Sequence, residues 1–258
     1  MPERDDLTLI RDLAIEGGRI ALDYFGDDPK VWMKPGDSPV SEADYAVDTF
    51  LKEKLRAARP DYGWLSEETA DDDAARFTAK RTFVVDPIDG TRGFLAGSKR
   101  WCVSVAIVED GRPTEGVLAC PALEDVFAAQ AGQGATLNGE TLECPDPGEA
   151  LPVAGPMPLI RAMEQERPVT RLPHVPSLAY RIAMVATGSA GIAFARSGPK
   201  DWDIAAADLI VAEAGGALLT PAGTVPTYNK RDTKHPGLIA GPNALREEML
   251  VFAARHMG

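Results

Sequence analysis

The sequence predicts an α+β fold of layered sheets and helices, and three features of the chain point to it. Two amphipathic helical stretches come first, short β-branched and apolar segments follow to about residue 145, and helical and extended patterns alternate from there on. Between residues 145 and 176 stand Pro145, Pro147, Pro152, Pro156, Pro158, Pro168, Pro173 and Pro176, a composition shift that marks a boundary. One structural unit with an N-terminal α+β subdomain, 1–145, and a C-terminal α/β subdomain, 146–258, is expected.

The elements follow in order. Leu9, Ile10, Leu13, Ala14, Ile20 and Ala21 recur at helical spacing and predict a helix over 6–25. Residues 26–40, with Gly26, Pro29, Pro35, Gly36 and Pro39, read as a polar loop. Ser41 then serves as an N-cap, with Asp44 three residues on as the acidic partner of a capping-box-like start. The helix that follows, about 42–58, turns Ala43, Val47, Phe50, Leu51 and Leu55 to one side. Thr82 to Val85 is apolar and β-branched, a buried strand. Val103–Val108 and Glu115–Cys120 flank the turn Glu109-Asp110-Gly111 and form a hairpin. Residues 125–130 and 135–142 continue the extended pattern. Beyond the proline-rich stretch, helices are expected at 178–187, 203–214 and 243–256, and strands at 190–195, 217–220 and 237–240. Gly215-Gly216 closes the second of these helices and Asn243 caps the third.

Composition narrows the function. The 258 residues are 45% hydrophobic and 26% charged, as in ordinary globular proteins. No stretch approaches the roughly 20 apolar residues of a membrane span. The polar, acidic start Met1-Pro2-Glu3-Arg4-Asp5-Asp6 lacks the basic-then-apolar form of a secretory signal. Three widely spaced cysteines, Cys102, Cys120 and Cys144, form no CxxC pair, so neither a disulfide framework nor a zinc ribbon is indicated, and a cytoplasmic setting is expected. A net charge of −12 and the lack of a basic stripe argue against a nucleic-acid partner. Acidic residues at the surface account for most of that charge; a handful gathered together would hold metal ions.

Four segments carry candidate chemistry. In Asp86-Pro87-Ile88-Asp89-Gly90-Thr91, a buried strand delivers two carboxylates, three residues apart, to one rigid terminus. Like charges so placed are costly unless a cation lies between them, and hard oxygen donors suit Mg²⁺. The Ile88 carbonyl adds a further oxygen, Gly90 allows close approach, and a helix starting at Thr91 would direct N–H groups at a phosphate. Alone, the hexapeptide reads equally well as an Asp-Pro turn with Asp89 as N-cap. Leu65-Ser66-Glu67-Glu68 offers a further carboxylate, or simply a capped helix start. Asp201-Trp202-Asp203 precedes an alanine-rich segment, where Asp203 is either a ligand or an N-cap. Lys34 to Asp44 is either a mobile lid over an anion or a surface loop and cap. His174, His235 and His256 are scattered and suit surface or packing roles.

Taken together and in this order, Glu67-Glu68, Asp86 to Thr91 and Trp202-Asp203 resemble the inositol monophosphatase family, within the lithium-sensitive, metal-dependent phosphatase superfamily. The resemblance spans about Lys34 to Gly216. It implies a layered α/β/α/β/α sandwich of the inositol monophosphatase and fructose-1,6-bisphosphatase type. It implies two or three Mg²⁺ ions: Glu67, Asp86 and the Ile88 carbonyl at the first, and Asp86, Asp89 and Asp203 at the second. Glu67 is chosen over Glu68 because the family's ligand is the first acid of the pair. Asp44, Glu67 and Thr91 match groups that position the attacking water, and Gly90 and Thr91 match the phosphate-binding backbone. Two metals about 4 Å apart stabilise both oxygens of an in-line displacement, so no covalent phosphoenzyme is expected. Homodimers are common in the family.

The substrate is less sharply indicated. Inositol monophosphatases usually carry a glutamate six residues before the tryptophan of Trp-Asp; here Arg196 stands there, a group suited to a second phosphate or a carboxylate. Arg196-Ser197-Gly198-Pro199 and Leu65 to Glu68 look more like the CysQ-type 3′(2′),5′-bisphosphate nucleotidases, which act on adenosine 3′,5′-bisphosphate, and Thr91-Arg92 departs from the Thr-Asn version common in inositol monophosphatases. Inositol monophosphatase, histidinol-phosphatase and fructose-1,6-bisphosphatase activities are the alternatives. A catalytically inactive, metal-binding relative is the alternative of another class, but the intact ligand set argues against it.

Overall fold

A computed structural model describes residues 5–27, 29–34, 38–146 and 148–257. Met1 to Arg4, Pro35 to Asp37 of the expected loop, and Pro147 lie outside the described residues.

The chain begins with α1 (Asp6–Leu22), capped by the Asp5 carboxylate on the Thr8 amide. A hairpin of β1 (Val31–Lys34) and β2 (Ser38–Ser41) follows, where composition alone predicts a loop. Pro39 stands within β2 opposite Met33, so a proline there does not exclude a short strand. Next come α2 (Glu42–Ala58), β3 (Gly63–Ser66), α3 (Asp73–Thr78) and β4 (Arg81–Asp89). β3 and α3 have no counterpart in the sequence reading, because four- and six-residue elements are too short to show a period. The first half closes with α4 (Thr91–Leu95), β5 (Cys102–Glu109), β6 (Arg112–Cys120), β7 (Asp125–Gln130), β8 (Gly134–Leu137) and β9 (Glu140–Leu142). The expected 135–142 strand is thus two strands about a turn, with Asn138 in the left-handed region at φ 52°.

The proline-rich stretch is more ordered than its composition suggests. It holds β10 (Leu151–Ala154), α5 (Met157–Met163) and β11 (Val169–Arg171), with Pro156 and Pro158 at the start of α5, where a missing N–H costs nothing. The last elements are α6 (Leu178–Ala183), β12 (Ile192–Ala195), α7 (Asp201–Glu213), β13 (Gly216–Leu219), β14 (Leu238–Pro242) and α8 (Arg246–His256).

Strands β3 to β9 form a seven-stranded sheet in sequence order, antiparallel except for the parallel β3–β4 pair. The second sheet has five strands in the order β11-β10-β12-β14-β13. Alternation along the strands makes the layers. Val103, Val105 and Ile107 of β5 pack with Ile10, Val47 and Leu51 of α1 and α2. Cys102, Ala106 and Val108, on the opposite face, pack with Ile204, Ala205 and Ile210 of α7 and with Ala183 of α6. The five-stranded sheet covers the far side of α6 and α7 through Ala193, Leu218 and Ala240, and its own outer face packs on α5 and α8 through Phe194, Ile239, Ile160 and Phe252. The result is α/β/α/β/α. Helix α7 is therefore buried between two sheets, which explains its alanines: a Cβ on Gly116 of β6 would lie 3.0 Å from the Ala206 Cα, so only small groups fit at that approach.

Candidate metal centre and adjoining cleft

The ends of β3, β4 and α7 meet at one edge of the seven-stranded sheet. Asp86, Asp89 and Asp203 come together there, each offering an oxygen within 4.8 Å of the others. Local chemistry fixes each of them. Asp86 accepts the Ile88 amide at 3.0 Å, as the Asp-Pro turn requires. Asp89 accepts the Ala179 amide at 2.6 Å and the Ser177 hydroxyl, so it ties the turn at Gly90 to the start of α6. Asp203 is the third residue of α7 and reaches back to the Lys200 amide at 2.6 Å. It is therefore not the N-cap; Lys200 holds that place. Each carboxylate thus commits one oxygen to holding the chain.

The electrostatics follow from this geometry. Burial pushes Asp86 and Asp203 well above the usual carboxylate range; Glu67, Asp89 and Asp203 push Asp86 further, and Asp89 does the same for Asp203. Burial raises Asp89 to about 6, against the hydrogen bonds from Ser177 and Ala179. Three clustered carboxylates, two of them fully buried, fit a hard divalent cation and disfavour an empty site.

Glu67 follows β3 and borders the same cleft, but it lies outside the three-carboxylate group. Its Oε1 and that of Glu68 each accept Lys34 Nζ at 2.7 Å. Burial works against the Lys34 charge, and the two glutamates outweigh it and hold the ammonium charged. Glu68, the more enclosed of the pair, is raised by burial to about 7. Lys34 thus supplies the positive charge that a cation would otherwise bring to Glu67.

Asp44 is fully buried in α2. Its Oδ2 accepts the Ser41 amide at 2.8 Å and hydroxyl at 2.6 Å, and burial raises its pKa. The Thr91 hydroxyl lies 3.1 Å from Asp44 Oδ1 and 3.0 Å from the Ile88 carbonyl, so its one proton is shared between them. Gly90 caps α4 at φ 96°, and a Cβ there would stand 2.9 Å from the Ser177 amide nitrogen. Glu67, Asp86, Ile88, Asp89, Gly90, Thr91 and Asp203 all line one cleft of about 330 Å³.

Arg196 is elsewhere. It lines an adjoining cavity of about 580 Å³ together with Arg181 and the apolar side chains of Met157, Ile160, Leu172 and Leu178; His174 borders both spaces. Sequence reasoning missed Arg181 and His174. Arg181 reads as an ordinary polar position of α6, and His174 as a surface residue. Arg181 Nη1 donates to the Val175 carbonyl at 3.1 Å, its Nε is sealed off without an acceptor, and burial lowers its pKa. Neither Arg181 Nη2 nor Arg196 has an acceptor among the described residues, and no carboxylate lines this cavity.

The profile of the inositol monophosphatase family matches residues 4–257. The chain belongs to this family. A histidinol-phosphatase from Chlorobaculum parvum is 30% identical over 255 residues, covering 95% of each chain. The 3′(2′),5′-bisphosphate nucleotidase CysQ of Aggregatibacter actinomycetemcomitans is 30% identical over 250 residues, covering 89% of this chain and 90% of its own. Among solved structures, the Thermotoga maritima IMPase superposes with a TM-score of 0.84 at 25% identity, over 98% of each chain. As a member of the inositol monophosphatase family, the chain is a phosphoric monoester hydrolase of a metal-dependent class. No helix among the described residues is long and apolar enough to cross a membrane.

The raised carboxylate pKa values predict a pH effect. Their folded values lie above their unfolded ones, so the folded protein binds more protons and its stability falls as pH rises from about 4 through 7. A carboxyl whose pKa rises tenfold in proton affinity on folding contributes about 1.4 kcal/mol to this loss, and about 1 kcal/mol moves the Tm of a domain this size by roughly 2–4 °C. The Tm of chelator-treated protein should fall by about 5 °C or more between pH 5 and pH 8, and a saturating divalent cation should remove the fall. A flat or rising metal-free Tm would contradict the cluster's electrostatics.

Proposed function

We propose that this chain is a Mg²⁺-dependent phosphomonoesterase acting on adenosine 3′,5′-bisphosphate. The observation that carries the substrate is the cavity beside the acidic cleft: two arginines with free donors, apolar walls and no carboxylate. A second phosphate finds charge-assisted donors there, and a flat base finds apolar surface. The cation of histidinol phosphate would meet like charge, and the hydroxyls of inositol would meet few acceptors.

Asp86, Asp89, Asp203, Glu67 and the Ile88 carbonyl would hold two or three Mg²⁺. Bound there, magnesium would polarise the phosphoryl group and the attacking water and shield the leaving alkoxide. The chain's own groups do the rest. Gly90 and Thr91 hold the phosphate from below. Thr91 Oγ1 orients the water, and the Asp44 carboxylate, made more basic by burial, takes its proton through that hydroxyl. Lys34 releases Glu67 for ligation. Arg196 and Arg181 hold the distal phosphate, so a nucleotide lies across both spaces with His174 between its ends.

Phosphate release from adenosine 3′,5′-bisphosphate, inositol 1-phosphate and histidinol phosphate, with and without Mg²⁺, tests this reading. The nucleotide should be preferred, release should require Mg²⁺, and Li⁺ should inhibit it. Preference for either other ester would remove the arginines from substrate choice and keep the mechanism. Absence of release from all three would favour an inactive metal-binding relative.

A further inference from the structure

Outside the site, a cluster of buried polar side chains lies behind the start of α7. Asp201, the first residue of that helix, is fully buried. Its Oδ2 accepts the Asn229 amide at 2.7 Å and its Oδ1 meets His235 Nε2 at 2.7 Å. His235 is itself 5% exposed and lies against the Tyr228 ring, with centroids 5.3 Å apart. Tyr228 in turn donates its hydroxyl to Asp208 at 2.9 Å, two turns further along α7. One loop therefore grips α7 at both Asp201 and Asp208.

The same histidine holds a second segment. Its backbone amide donates to the Pro199 carbonyl at 2.8 Å, and its carbonyl accepts the Gly198 amide at 2.9 Å. Ser197 and Pro199 line the 580 Å³ cavity with Arg196. Gly198 adopts φ 114°, a conformation that only glycine holds easily, so this turn is set by its ties rather than by local preference. Asp203, two residues beyond Asp201, lies at the metal centre. His235 thus joins the turn after Arg196 to the first turn of α7 with three hydrogen bonds, and lines neither substrate space.

We propose that His235 is a positioning residue for the reaction: through Asp201 it fixes the first turn of α7 and with it Asp203. The inference rests on reading Asp203 as a magnesium ligand. A partner that merely stabilised the fold would alter the Tm alone. A group that bonds a ligand directly alters metal affinity as well, by roughly 10–100-fold; His235 acts one residue further back, through Asp201, so an effect at the low end of that range is expected.

The test uses the metal-free full chain, titrated with Mg²⁺ by calorimetry, with steady-state kinetics alongside. His235→Ala, which keeps the backbone bonds to Pro199 and Gly198, should weaken Mg²⁺ binding about tenfold, with KM and kcat at saturating Mg²⁺ changed about threefold or less. His235→Gln, whose amide N–H reaches toward Asp201, should restore most of the Mg²⁺ affinity. If His235→Ala does not fold, Asp201→Ser removes the same bond while keeping a good helix-start residue, and the same loss of affinity is expected. Unchanged Mg²⁺ affinity in these variants, with only a lowered Tm, overturns the proposal. Asp203→Asn run in parallel separates the two failures. Wild-type affinity in that variant overturns the ligand assignment and the positioning role with it. Lost affinity there, with none lost in His235→Ala, overturns the positioning role alone.

Discussion

Asp86→Asn is expected to lower turnover by three orders of magnitude or more while leaving the fold intact. Asp86 sits at the centre of the cluster, where Glu67, Asp89 and Asp203 all act on its charge. Removing a shared ligand takes away several kcal/mol of charge stabilisation in the transition state, and each 1.36 kcal/mol or so is about a factor of ten in rate. The substitution has a second consequence of opposite sign. Asparagine has nearly the same shape, keeps an acceptor for the Ile88 amide at 3.0 Å, and removes one of three mutually repelling charges. Metal-free Asp86→Asn should therefore be at least as stable as the metal-free wild type at pH 8, and the stabilisation by added Mg²⁺ should be largely lost. Activity assays with thermal melts, with and without Mg²⁺, check both halves. Turnover retained within tenfold of wild type would overturn Asp86 as a ligand. Lost turnover with a collapsed fold would show that the carboxylate is structural.

Arg196→Glu should depress kcat/KM for adenosine 3′,5′-bisphosphate about a hundredfold and for inositol 1-phosphate only a few-fold. A hydrogen bond to a charged group is worth roughly 1.5–3 kcal/mol, and the reversal adds repulsion toward the second phosphate. Arg196 has no acceptor among the described residues to leave stranded, so the change should not unfold the protein. Arg181→Met should act in the same direction, with a contribution from the lost tie to the Val175 carbonyl. Because Arg196 lines the adjoining cavity and not the acidic cleft, the loss should appear mainly in KM. Equal losses on both substrates would remove the arginines from specificity and point to a general role in folding or charge.

Some of the site was legible before any coordinates. Asp86, Asp89 and the Gly90-Thr91 turn are fixed by local rules: a buried strand, an Asp-Pro turn, a glycine and a helix start. These act within a few residues, so a short segment of sequence encodes them. The capping box of Ser41 and Asp44 is legible for the same reason. Arg181 and His174 were invisible, because each acquires its role from a cavity whose walls come from segments far apart in the chain. The Lys34 ion pair with Glu67 and Glu68 joins residues 33 and 34 positions apart, and no pattern in the chain announces it.

Hydrophobic period, capping and turn chemistry are nearest-neighbour physics, so the chain alone encodes which long elements form and which local turns carry acids. Its motifs, in an order specific to one family, encode the family as well. Tertiary packing decides the rest: that Asp203 meets Asp86 and Asp89 within 4.8 Å, that Arg196 faces a neighbouring cavity, and that His235 lies behind them both. Those outcomes depend on how α7 is pressed between two sheets. Packing of that kind is a property of surfaces brought together from the whole chain, and side chains far apart in sequence acquire their charges, partners and pKa values only once water between them is gone.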